Sequence, residues 1–273
     1  MMKKVLTIAG SDCSGGAGIQ ADIKTFSSHG VFGMSVIVSV VAENTSRVID
    51  IQNITPEMIE KQIDAVFEDI EVDAVKVGML SSPECMRVVA RKLRQYVPEY
   101  VVIDPVMYAK NGCPLMEPTA VETLIDTILP LADVLTPNIP EAERIADMQI
   151  HSVKDMETAA RKIYAMGCGA VVVKGGHAVG DAHDILFDGK EMHHFVIGRI
   201  DTKNTHGTGC TFSAAIAAHL AQGVNVPQAV ERAKAYVTTG ISHSLAIGKE
   251  CGPTHHFYDL YKHGLSWQRG VDE

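Results

Sequence analysis

Short runs rich in valine and isoleucine alternate with helix-length segments along nearly the whole chain. This alternation constrains the fold more than any other feature. Residues 5–9, 34–41, 74–77, 100–103, 134–136 and 170–173 read as strands. Helices are expected over 17–29, from the Thr55-Pro56-Glu57 start onward, over 83–96, from Pro118 to about 129, around Glu141, and over 155–166. Thr55 suits an N-cap and Pro56 a first helical turn. Residues 185–196 read as a hairpin turning at Asp188-Gly189, and a last helix is expected over 227–244. This order implies an α/β fold, with a mainly parallel sheet and helices on both faces. No Pro/Gly-rich linker and no internal repeat divides the chain, so one domain over 1–273 is expected.

Composition narrows the function. The net charge of −9 argues against nucleic acid or an anionic membrane surface as a partner. Positive charge for an anionic small substrate must then come from placed lysines, helix ends or metal. Six cysteines (Cys13, Cys85, Cys113, Cys168, Cys210, Cys251) include no C-x-x-C pair, which argues against zinc and a disulfide framework. The opening MMKKVLTIAGSD has too short an apolar run for a signal peptide, and no stretch is long enough to span a bilayer. A cytoplasmic protein is expected.

The chemistry centres on 202–215, TKNTHGTGCTFSAA. Gly207, Thr208 and Gly209 lead into Cys210 and an alanine-rich helix. Free N–H groups and the positive end of the helix dipole converge there, which suits phosphate or developing negative charge. Cys210 stands where a helix start favours a thiolate. By itself a Gly-x-Gly before a helix is common, and a cysteine there is often packing.

The rest of the chain strengthens the reading. Special residues follow strand after strand: Gly10-Ser11-Asp12, Glu43-Asn44, Gly78-Met79, Asp104, Asn138 and Lys174-Gly175-Gly176. Ligands of open parallel sheets bind outside the carboxyl ends of the strands, so these residues line one rim. Lys174 is a cation for a polyphosphate, and Asp104, Asn138 and Glu141 offer oxygens for Mg²⁺. Such parts suit phosphoryl transfer, which depends on positioning and charge stabilisation. Each residue also has a plain structural reading: Asp104 as a turn former, Glu141 as a first-turn acid, Lys174 as a surface charge.

The segments LTIAGSDCSGGAGIQADIKTF, VVAENT, VKVGML, VIDPVM, LTPNIPEAE, VVKGGH, TKNTHGTGCTFSAAI and GPTHHF resemble, in order, the hydroxymethylpyrimidine/phosphomethylpyrimidine kinases of thiamine biosynthesis, within the ribokinase-like superfamily. Only the tail, 259–273, lies outside. The resemblance implies a three-layer α/β/α kinase using ATP and Mg²⁺. It makes Cys210 the base or hydrogen-bond acceptor, with Gly207, Thr208, Gly209 and Lys174 in the phosphoryl-transfer machinery. It places the ring near Gly10, Asp22, Val41, Glu43, Met79 and Val106, with Asp22 on the hydroxyl and Glu43 accepting from an exocyclic amine. Asn138, Lys174, Thr205, Thr208 and Lys234 fall to the nucleotide, and Asp104 and Glu141 to the metal. A pyridoxal or pyridoxine kinase is the alternative, and a silent nucleotide- or vitamin-binding regulator a second. The Ala-Glu-Asn-Thr pattern favours the pyrimidine. The family implies a second step, from the monophosphate to the pyrophosphate, and relatives suggest a homodimer. The glycine loops at 15–18 and 175–176 are candidate lids. His255-His256 falls in a matching segment without an evident role.

Overall fold

The computed structural model describes residues 1–108, 115–117, 119–176 and 181–264. The first half runs β1 (Lys4–Asp12), α1 (Gly18–Ser28), β2 (Phe32–Glu43), β3 (Val48–Asn53), α2 (Pro56–Phe67), β4 (Ala74–Val77), α3 (Pro83–Tyr96) and β5 (Val101–Ile103). The second half runs α4 (Ala120–Thr123), β6 (Val134–Leu135), α5 (Ile139–Ala146), α6 (Val153–Tyr164), β7 (Val171–Val173), β8 (Ala182–Phe187), β9 (Met192–Ile197), α7 (Thr208–Ala221), α8 (Val226–Ser242) and α9 (Tyr258–His263).

Among the described residues, nine strands join in one sheet of order β3-β2-β1-β4-β5-β6-β7-β8-β9. From β2 to β7 neighbours are parallel, and β3, β8 and β9 add antiparallel edges. The expected mainly parallel α/β architecture is therefore the one found. Helices cover both faces. Leu6, Ile8, Val75 and Val77 pack into a core with α2 to α6, while Val5, Ala74 and Val102 pack into a second core with α1, α7 and α8. The alternation follows from the two-residue period of a strand.

Local chemistry explains where the helices begin. Thr55 accepts from the Met58 N–H ahead of Pro56, and Ser82 accepts from the Cys85 N–H ahead of Pro83. Helix α7 is apolar all round because it is buried, with Ala214, Ala215, Ala217 and Ala218 fully inaccessible. Its small side chains let its backbone approach the sheet. Ile216 is also fully buried, and its truncation to alanine is expected to cost about 2–5 kcal/mol.

Several expectations need correction. β1 does not stop before Gly10 but runs to Asp12 through a register shift at Ala9/Gly10. β3 was not expected, because its mostly exposed VIDIQN lacks a clean apolar alternation. The helix expected from Pro118, itself outside the described residues, is only α4 here. It passes into a π turn at Leu124–Ile128 and a 3₁₀ turn at Leu129–Leu131, where Pro130 removes a donor. The last long helix ends at Ser242, and α9 follows after a connection.

Candidate active site

The carboxyl ends of the parallel strands and the start of α7 open into one cavity of about 580 Å³. Gly10, Val41, Glu43, Met79 and Val106 line it. So do Asp104, Asn138, Glu141, Lys174, Thr205, Gly207, Thr208, Gly209, Cys210 and Lys234. Of the residues given a catalytic, ring, nucleotide or metal role above, Asp22 alone is not among the lining residues; of the strand-end residues, Asn44, Gly78 and Gly175 also stand outside the lining.

The glycine loop forms the centre. Gly207 caps α7 with φ 76°, the left-handed region, and a Cβ there would run into the Gly16 carbonyl. The Gly207 carbonyl accepts from the Thr211 N–H at 2.9 Å and the Thr211 hydroxyl at 2.8 Å. Thr208 turns its hydroxyl back to the Thr205 carbonyl at 3.1 Å. The N–H groups of Gly209 and Cys210 have no acceptor among the described residues, so they remain for an anion. A Cβ on Gly209 would stand 3.4 Å from both Lys174 Nζ and Asp104 Oδ2, so a cation and a carboxylate meet at the loop.

Lys174 Nζ donates to Asp104 Oδ1 at 2.7 Å, and the Thr136 hydroxyl donates to the same oxygen at 3.2 Å. Burial works against the Lys174 ammonium, but Asp104 and Glu141 more than offset it and hold the group charged. Asn138 and Glu141 make a capping box at α5: Glu141 N–H donates to Asn138 Oδ1 at 2.9 Å, and Asn138 N–H to Glu141 Oε2 at 2.8 Å. The plain structural reading of Glu141 is thus realised, although the residue still lines the cavity. Burial pushes it up to about 7, with Lys174 pulling the other way. Asp104 Oδ2, turned to Gly209, is a hard oxygen donor without a hydrogen-bond partner among the described residues. With Glu141 beside it, the set fits Mg²⁺ held directly or through water.

Two expectations change. Cys210 does not gain a lowered thiol from its helix start. Burial outweighs Lys76 and the Gly18 N–H and pushes the thiol up to about 11. Lys234 is not a free cation for a nucleotide: its ammonium donates to Asp184 Oδ2 at 2.7 Å and the Ala182 carbonyl at 2.9 Å. Asp184 Oδ1 accepts from the Gly175 N–H at 2.8 Å, so this trio ties α8 to β8 and the glycines after β7.

Asp22 lies behind the cavity wall. Its Oδ2 accepts from Lys76 Nζ at 2.8 Å and the Thr7 hydroxyl at 2.6 Å, and both members of the ion pair are wholly inaccessible. Its Oδ1 is buried without a hydrogen-bond partner among the described residues. Lys76 reaches the strand tip because Gly78 has no side chain: a Cβ there would stand 2.7 Å from Nζ.

At the Gly10 end of the cavity, a Cβ on Gly10 would touch Met79 Sδ at 3.4 Å. Register shifts at Ala9/Gly10 and Ala42/Glu43 re-aim the strands beside the site. Glu43 faces Asp12 and His206, and their ligand atoms lie within 4.8 Å of one another. Asp12 Oδ2 accepts from His206 Nε2 at 2.9 Å, Ala17 N–H at 2.7 Å and Gly16 N–H at 3.0 Å. Burial opposes the Asp12 charge, yet His206 and these donors hold its carboxyl well below the usual range. Burial and that charge push Glu43 up to about 7.

Residues that the sequence reading passed over are Lys76, His206 and Asp184, and Asp12 was given no role. A lysine inside the four-residue strand AVKV was the available signal for Lys76.

The architecture and the site define a ribokinase-like small-molecule kinase fold. The structure resembles the ADP complex of Bacillus subtilis pyridoxal kinase with a TM-score of 0.89 and 40% identity, over 94% of this chain and 98% of that one. The chain belongs to the phosphomethylpyrimidine kinase family, whose model matches residues 12–255. It is 47% identical over 256 residues to the hydroxymethylpyrimidine/phosphomethylpyrimidine kinase of Bacillus subtilis, covering 93% of this chain and 94% of that protein. It is 49% identical over 253 residues to the thiamine biosynthesis bifunctional protein ThiED of Geobacter sulfurreducens, covering 92% of this chain but only 52% of that longer protein.

Proposed function

We propose that this chain transfers the terminal phosphoryl group of ATP to 4-amino-5-hydroxymethyl-2-methylpyrimidine, and then phosphorylates the monophosphate to the pyrophosphate for thiamine biosynthesis. The observation that carries the reading is the meeting of the Gly209–Cys210 N–H groups with Lys174 in the cavity that Glu43 and Met79 also line. The names of the relatives agree with it.

The roles follow from the geometry. Lys174 and the N–H groups of Gly209 and Cys210 stabilise charge on the transferring phosphoryl oxygens. Asn138, Thr205 and Thr208 border the nucleotide, and Lys234 shapes that end through Asp184. Asp104 and Glu141 would hold Mg²⁺, which when bound would offset phosphate charge. Gly10, Val41, Met79 and Val106 enclose the ring, and Glu43 accepts from its amine. Cys210 accepts the hydroxyl proton or its hydrogen bond, a modest task in a loose transition state. Asp22 acts from behind, through Lys76 or through its spare Oδ1.

A cytoplasmic setting fits the free cysteines. A homodimer is the proposed assembly. No helix among the described residues is long and apolar enough to cross a membrane.

The test is product analysis. With ATP and Mg²⁺, the hydroxymethylpyrimidine gives first a monophosphate and then a pyrophosphate by mass spectrometry, with one ADP released per step. Absence of ADP release with either acceptor, from folded protein, overturns the reading.

A further inference from the structure

His255-His256 lies in a segment that the catalytic reading leaves without a task, yet His256 is only 6% exposed. Its Nε2 lies 3.0 Å from the hydroxyl of Thr211, which is buried in the first turn of α7. That hydroxyl has one proton and directs it to the Gly207 carbonyl at 2.8 Å. The imidazole must therefore be the donor, which fixes the Nε2–H tautomer. Burial pushes the His256 pKa down to about 4, so the ring is neutral at neutral pH.

The segment carrying His256 is itself stitched to the glycine loop. His206 N–H donates to the Gly252 carbonyl at 3.1 Å, and Thr254 N–H to the His206 carbonyl at 3.3 Å. Tyr236 on α8 donates to the His256 carbonyl at 2.7 Å. His256 is thus held from outside the loop, and its ring reaches back into it.

We propose that His256 is a positioning residue for phosphoryl transfer: through Thr211 it fixes the Gly207 carbonyl, and with it the backbone that aims the Gly209 and Cys210 N–H groups at the transferring group. The Gly207 carbonyl closes the first turn of α7, so its direction sets the amides that follow. A displacement well under the length of a hydrogen bond at such donors slows transfer, with little effect on nucleotide contacts made elsewhere.

This inference rests on the kinase reading for its catalytic consequence but not for its structural one. The test therefore uses two readouts. In steady-state kinetics, His256→Leu and Thr211→Val each lower kcat about tenfold or more, with KM for ATP changed by less than about threefold. His256→Gln, whose amide N–H replaces Nε2–H, and Thr211→Ser, which keeps the hydroxyl, stay within about threefold of the unmodified enzyme. The Thr211→Val/His256→Leu double variant is no slower than either single one, because the two act in one chain of bonds. In hydrogen exchange of the unliganded protein, the bonded amides of 207–211, above all Thr211 N–H on the Gly207 carbonyl, exchange about tenfold faster in His256→Leu and recover in His256→Gln. The exchange readout needs no turnover, so it stands even if the substrate assignment fails. Thr211→Val probes the same bonds without touching the C-terminal segment, should His256→Leu not fold. The proposal is overturned by unchanged exchange over 207–211, by kcat within about twofold in both apolar variants, or by conservative variants as slow as the apolar ones.

Discussion

Lys174 Nζ lies 2.7 Å from Asp104 Oδ1, and the pair sits directly against Gly209 in the loop that starts α7. The relationship joins two strand ends and a helix start into one charged centre.

Lys174→Met is expected to lower kcat/KM by about 10²–10³, the usual cost of removing one donor to transition-state charge. It also leaves Asp104 buried without its cation, so thermal stability falls. The Asp104→Asn/Lys174→Met double variant regains much of the melting temperature but no activity. Calorimetry and turnover together check this.

Cys210→Ala is expected to lower turnover about 10²-fold while the affinity for an ATP analogue changes little. Burial holds the thiol near 11, so it is protonated at neutral pH. Its thiolate fraction rises about tenfold per pH unit below that value. If the thiolate is the base, kcat climbs between pH 7 and 9, and Cys210→Ala loses that slope. A pH–rate profile of both proteins measures it.

How much of this centre could be read from the chain alone varies with the residue. Strand ends were legible because β-branched runs stop at polar or glycine residues, and a parallel sheet sends all such ends to one rim. That logic located Glu43, Met79, Asp104 and Lys174 correctly on the cavity. It could not foresee that Asp22 turns to Lys76 behind the wall, because the pairing of α1 with β4 is a tertiary contact. Nor did it show that Asn138 and Glu141 engage each other, although N-I-P-E after a strand, with Asn and Glu three residues apart, is a capping signal. β3 escaped because an exposed edge strand has no apolar face to betray it. The thiol of Cys210 was misjudged because a helix start is visible in sequence and burial is not.

Glu43 gives a pH dependence. Its carboxyl is pushed up to about 7 by burial and by the Asp12 charge, so below that value it is the neutral acid. A carboxylate accepts from an amine more strongly than the acid does. The affinity for the aminopyrimidine therefore rises from pH 6 to 8. In Glu43→Gln the same titration is flat. Isothermal calorimetry at stepped pH reads the difference.

Gly207→Ala strains a left-handed position and drives a methyl group toward the Gly16 carbonyl. The backbone term alone costs about 1–2 kcal/mol. The variant is expected to lose at least that in urea unfolding and to lose most of its turnover. Thr208→Ala, which removes a hydroxyl bond to the Thr205 carbonyl but no backbone geometry, is expected to lose less of both.

The proposed preference for a pyrimidine over vitamin B6 rests on Glu43 at the Gly10–Met79 end of the cavity. The most direct measurement is kcat/KM with ATP and Mg²⁺ for hydroxymethylpyrimidine, pyridoxal and pyridoxine, side by side, in the unmodified protein and in Glu43→Ala. The account predicts the highest value for the pyrimidine, with that advantage reduced by about tenfold or more in Glu43→Ala because the amine loses its acceptor. A higher value for pyridoxal in the unmodified protein, or a pyrimidine preference that survives Glu43→Ala intact, would contradict it.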